Sequence, residues 1–293
     1  MKIQKATLWT LALVLVTTAA VAQPYDIVVD RPYTVGQKFQ LTLEQEQIMS
    51  GQTVLGRQTQ TINQSSKASL KADGEVLTVL ADGTADKVRY VLRSYEELTN
   101  GKPGPAVPAG MVFIAHAASN PNSVTLEDGT PLGDSLDTLA SMLQDATDPP
   151  QQDGDFIGAD GPKNPGDTWL VDGQSVMDQL LEAGMEALPN GASVSGGARL
   201  ASVGNVNGIP CLQVRASFVF SGFTVPDPRV QQVQAKGRFK AGIDVPVDGS
   251  KNVQRQTLEL VNDISMVINT PQGQATSQMN QVMKATARFR FQN

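Results

Sequence analysis

The chain has 293 residues, a formal net charge of −6, 18% charged residues, 5% aromatics, one cysteine and one histidine. An acidic balance argues against nucleic acid and anionic lipid headgroups as partners; a single cysteine excludes an intramolecular disulfide, and with one histidine it falls short of a tetrahedral zinc site. The length suffices for one large or two moderate cores held together by burial alone.

The N-terminus reads MKIQKATLWTLALVLVTTAAVAQ. Lys2 and Lys5 form a basic start, residues 6–16 are almost all apolar, and Ala20-Val21-Ala22 supplies the small-x-small site of a signal peptidase. This pattern predicts a signal peptide over residues 1–22, cleaved before Gln23. The apolar run is short for a membrane span of about 30 Å, and no later stretch is long and apolar enough to be a transmembrane helix. The mature chain is therefore expected in the periplasm or outside the cell. It would be more acidic than the whole, since cleavage removes two lysines and no acid.

Period-two alternation follows. In KFQLTLEQEQ, Phe39, Leu41 and Leu43 share a face; Ser50-Gly51 reads as a turn and GRQTQTINQ as a weaker strand. EVLTVL and KVRYVLRSY flank Asp82-Gly83, the second placing Val88, Tyr90 and Leu92 opposite Arg89 and Arg93. The run GMVFIAHAASN reads as a further strand carrying His116. GDSLDTLASMLQDA then has Leu136, Leu139, Ala140 and Leu143 at helical spacing behind Asp134 or Ser135 as N-cap. SVMDQLLEAGMEALP predicts a second helix over 175–188, with Ser175 and Asp178 forming a near capping box. Between the helices lies an acidic loop rich in Pro and Gly.

The last third alternates most cleanly. One face collects Leu212, Val214, Ala216, Phe218 and Phe220, then Ala235, Phe239 and Ala241, then Leu258, Leu260, Ile264, Met266 and Ile268, then Met279, Met283, Phe289 and Phe291. Asn207-Gly208, Asp248-Gly249 and Pro271-Gln272-Gly273 are the turns between these runs. Strands this long exceed the usual five or six residues, and a curved sheet with one apolar face needs a cover. The expected fold is mainly β (α+β): long curved antiparallel sheets in two lobes, with two helices on the apolar face. The lobes would be 23–133 and 166–293, separated by a helix and the acidic loop over 134–165.

Pro32 to Phe39 and Pro162 to Trp169 both read Pro-x-x-x-Gly-x-x-aromatic before β-patterned sequence. Proline fixes the approach, glycine permits a tight turn, and the aromatic anchors under the sheet. Trp169, the only tryptophan after the signal segment, would thus pin the second lobe as Phe39 pins the first. The Gly166-Asp167-Thr168-Trp169 turn, the signal segment, the helical middle and the long strands resemble a family of uncharacterised exported bacterial proteins. In that family a Gly-Asp-x-Trp turn opens the C-terminal β region, and no catalytic residues are assigned. The layout also resembles envelope half-barrels that bind lipids or lipoproteins, an analogy at the level of fold.

No nucleophile elbow or phosphate-binding loop is present. His116 in its apolar run reads as structural, and Cys211 falls on the outward parity beside Pro210, so partial exposure is expected. The acidic loop begins like a calcium loop at Asp153 and Asp155 but has Ile157 at the third ligand position. No metal, cofactor or catalytic residue is assigned. The expected function is non-enzymatic binding or scaffolding in the cell envelope, with an apolar ligand or another envelope protein as partner. A ligand would lie on the face of Phe218, Phe220, Phe239, Leu258, Leu260 and Met266, where small residues such as Ala216, Ala235 and Gly237 recur. The alternatives are an outer-membrane β-barrel, for which 5% aromatics is lean, and a hydrolase using His116.

Overall fold

The computed structural model describes residues 24–292, apart from positions 30, 82, 117–122, 148–156, 158, 175, 178–185, 188–191, 225–229 and 272. The expected signal segment and most of the acidic loop lie outside the described residues.

Alternation becomes one antiparallel sheet of 13 strands. These are β1 (Lys38–Leu55), β2 (Gln58–Val79), β3 (Ala85–Thr99), β4 (Lys102–Pro103), β5 (Val112–His116), β6 (Ser123–Leu126), β7 (Thr168–Leu170), β8 (Glu186–Ala187), β9 (Ser193–Val206), β10 (Ile209–Thr224), β11 (Val230–Pro246), β12 (Arg255–Thr270) and β13 (Gly273–Phe291). The order is β6-β5-β3-β2-β1-β13-β12-β11-β10-β9-β7, with β4 beside β3 and β8 beside β10. Among the described residues the two ends, β6 and β7, do not pair, so the sheet is open. β1 pairs with β13 from Phe39↔Phe291 to Leu55↔Ala275. The two expected lobes are therefore halves of one continuous sheet.

The apolar face is plugged at two places. In the first core, helix α1 (Asp137–Thr147) presses Leu139, Met142 and Leu143 onto Leu41, Leu70, Tyr90, Leu92 and Phe113. Each such side chain removed from water contributes roughly 1.5–3 kcal/mol. The Tyr90 hydroxyl keeps a partner inside this core, 3.0 Å from the Thr147 hydroxyl. A 3₁₀ turn, Asp134–Leu136, precedes α1; Gly133 stands at its N-cap, where no side chain caps it, instead of Asp134 or Ser135.

The second core lies under β9–β11. Leu200, Leu212, Val214, Phe218, Ile243 and Val245 pack with Trp169, Ile157, Val176 and Val29. The segment carrying Val29 is tied down by paired backbone hydrogen bonds between Tyr25 and Lys163, at 2.8 and 2.9 Å. Among the described residues the sheet is covered by one helix, α1, rather than two. In the second expected helix only Val176 and Met177 are described as helical, and Glu186–Ala187 form β8 against Phe223 and Thr224 instead. Residues 178–185 and 188 of that expectation lie outside the described residues.

The paired aromatic turns share a backbone pattern. The Gly36 N–H donates to Val76 O and the Val76 N–H to Gln37 O; the Gly166 N–H donates to Leu200 O and the Leu200 N–H to Asp167 O. Both glycines hold positive φ, 84° and 98°, which a residue with a Cβ adopts only under strain. Gly51 is different. It was expected in a turn, yet it lies mid-strand opposite Met279 and Ile62. A Cβ there would collide with the Gln278 carbonyl, so close strand approach explains this glycine; the turn itself is at Gly56, φ 59°.

Candidate functional site

The six residues expected to line a ligand face lie on β10, β11 and β12, and the register brings four of them into neighbouring rows. Phe218 is opposite Phe239, and Phe239 opposite Leu260; Leu258 is in the next row, beside Ala241. Their environments divide the set. Phe218 and Phe220 are each only 1% exposed and belong to packed cores, so they are filled interior rather than open wall. Phe239, Leu258, Leu260 and Met266 are half-buried.

Those half-buried positions continue across the middle of the sheet. Leu260 faces Met283, Ile264 faces Met279, and Leu258 faces Ala285 on β13. Leu258, Met266, Met279 and Met283 belong to none of the three buried clusters. A strip of partly accessible apolar side chains thus runs along β12 and β13 between the two plugs. From Leu258 to Met266 it is about 27 Å long, at a rise of about 3.4 Å per residue. Met49 on β1 extends it, so four of the nine methionines in the chain, Met49, Met266, Met279 and Met283, share this face. Thioethers are flexible and polarizable, which suits an apolar surface that adapts to what covers it. Reading residue types along β13 by parity would have added Met279 and Met283 to the candidate set.

The opposite face differs in chemistry. A trough of about 850 Å³ crosses β7 to β13 there, lined by Arg199, Ser217, Lys240 and Lys284 and also by Leu170 and Leu258. Lys240 Nζ reaches Glu259 Oε1 at 3.0 Å, and that hydrogen bond leads the influences holding the Glu259 carboxyl below its ordinary range. The trough is thus mixed in chemistry, with ion-paired side chains beside apolar ones such as the exposed Leu170.

Beside the trough, Asp244 is buried. Its Oδ1 accepts from Arg215 Nη1 and Nη2, both at 3.0 Å, and Arg255 Nη2 sits 2.7 Å from Oδ2 as an ion pair. Cys211 packs next to this cluster and is fully buried, against the exposure expected from its parity. The loop after β11 explains the cover: its Val247 N–H donates to Pro210 O and its Gln254 N–H to Asp244 O, closing the outer face over these positions. Burial, followed by the Asp244 charge, pushes the thiol from 9.0 up to about 11. Whatever stability the neutral thiol contributes is therefore intact below pH 9 and lost as pH rises through 11. At pH 8, iodoacetamide is expected to leave Cys211 unmodified in the folded protein and to alkylate it in urea, read by intact mass. Rapid labelling without denaturant would contradict this burial.

His116 ends β5, opposite Lys87 and Ser123. Among the described residues no hydrogen bond or ion pair joins its ring to a carboxylate, and no group of three or more His, Cys, Asp or Glu stands together as a metal site. Asp153 and Asp155, where the calcium resemblance starts, lie outside the described residues. No described helix is long and apolar enough to cross a membrane.

No protein-family model and no curated protein matches the sequence. Among solved structures, one titled for lipid–protein interactions in lipovitellin aligns with 86% of this chain at 6% identity and a TM-score of 0.35. This chain spans 25% of that one. The toluene transporter TodX of P. putida aligns with 89% of this chain and 92% of its own at 8% identity and a TM-score of 0.16. Likenesses at these scores establish neither fold nor ligand.

Proposed function

We propose that this is an exported, non-enzymatic binding protein of the cell envelope, and that its ligand is a single extended apolar chain lying along β12 and β13. The observation that carries this reading is the strip between the plugs. Leu258, Leu260, Met266, Met279 and Met283 remain half-buried between two regions where Leu41, Leu70, Tyr90 and Phe113 on one side and Leu200, Leu212, Val214 and Phe218 on the other are packed to low exposure. Such a strip favours an occupant through area removed from water, at roughly 25 cal/mol per Å². Its length of about 27 Å is close to the roughly 30 Å thickness of a whole bilayer core, which leaves room for one acyl chain laid out in full. The resemblance of the Gly166-to-Trp169 turn to exported β-rich proteins is consistent with the location.

The protein should be purified without detergent and extracted with organic solvent. Mass spectrometry is expected to find a co-purifying long-chain molecule, and the stripped protein is expected to bind a neutral apolar dye with a blue-shifted emission. Empty extracts together with no dye binding would overturn the reading.

A further inference from the structure

Halfway along the strip the apolar sequence is interrupted. Asn262 lies on the same face of β12 as Leu260 and Ile264, opposite Gln281 on β13 and Gly237 on β11. It is 7% exposed, and its Oδ1 is buried without a hydrogen-bond partner. The atom leans over the gap that Gly237 leaves: a Cβ on Gly237 would stand 2.6 Å from Asn262 Oδ1 and 2.6 Å from the edge of the Phe220 ring. A buried amide without a partner is costly, and leucine in its place would serve packing better.

We infer that Asn262 is the polar anchor of the ligand site, and that the ligand is an amphiphile bearing a hydroxyl group. This rests on the strip being the binding face. A carboxamide offers one acceptor oxygen and a donor NH₂; a hydroxyl accepts from Nδ2, or donates to Oδ1 once the amide turns out of the gap over Gly237 that covers this oxygen in the ligand-free protein. The longer apolar stretch from Asn262 runs over Ile264, Met266 and Ile268, about 20 Å at the strand rise, so the hydroxyl sits at Asn262 and the tail follows that direction. Gln281, half-buried across the pair, is the second polar group at the same level.

The test compares a long-chain primary alcohol with its methyl ether, which cannot donate a hydrogen bond, as competitors for the apolar dye on stripped protein. Wild type is expected to bind the alcohol about five- to tenfold more tightly than the ether. Asn262→Leu is expected to abolish that preference while holding the ether at least as well, and its ligand-free form is expected to unfold at higher urea than wild type. Asn262→Ala, smaller and unable to clash, should abolish the preference too. Equal affinity of wild type for both competitors, or a preference that persists in the variants, overturns the anchor and leaves the strip standing. Binding of neither competitor by wild type overturns the strip and the anchor together.

Discussion

Replacing Trp169 by alanine is expected to cost about 3–5 kcal/mol of folding stability, the range for truncating a large buried aromatic. Trp169 is 8% exposed, and its indole N–H donates to Ile157 O at 3.0 Å. It stands opposite Ala198 on β9, and Lys163 Nζ lies 5.8 Å from its ring centre. Truncation therefore empties the space between β9 and the covering segment and leaves a buried carbonyl without its donor. Natural domains are stable by about 5–15 kcal/mol, so this one change removes a large share. Urea unfolding followed by far-UV circular dichroism reads it. Trp169→Phe separates the two contributions: it keeps most of the packing, loses the hydrogen bond, and is expected to cost about 1–3 kcal/mol. An alanine variant with the wild-type midpoint would show that the second core does not depend on this side chain.

Met283→Glu is expected to weaken binding of the neutral dye more than a hundredfold while the protein stays folded. Met283 is half-buried at the centre of the strip, opposite Leu260 and Gln47. A carboxylate tolerates that position in the empty protein because water still reaches it. A ligand closing over it would have to strip that water away, at several kcal/mol, or force the group to protonate. Gln278→Glu is the control: it adds the same charge to the same strand, at an exposed position of the other face, and is expected to leave dye binding unchanged. Equal loss in both variants would point to net charge rather than the strip.

Period-two patterning made most strands legible, because their faces differ. Val88, Tyr90 and Leu92 are buried while Arg93 on the other parity is exposed, as the sequence indicated. The pattern failed where both faces are wet. β2 runs unbroken from Gln58 to Val79, yet its first half, rich in Gln and Ser, carries little contrast and resembles an isolated weak strand. Gly51 resembled a turn because glycine serves both sharp bends and tight strand contacts, and only the partner strand distinguishes them. The expected helix after Ser175 met a competitor invisible in its own periodicity: an edge position beside β10 that Glu186–Ala187 occupy. The candidate site was half legible. Parity grouped Phe218 with Phe239, but it cannot tell which apolar residues are capped by another segment, and that decided between packed phenylalanines and half-open methionines. Asn262 carries no signal in the sequence, because one polar residue in an apolar series gains meaning only from its surroundings.

The pairing of Phe39 with Phe291 has a kinetic consequence. β1 has one of its two partners in β13, far along the sequence, so that half of its pairing waits until β13 has been made. The ladders β1–β2, β2–β3 and those from β9 through β13 join neighbours and can close early, so the β1–β13 seam is the slow step that joins two preformed halves.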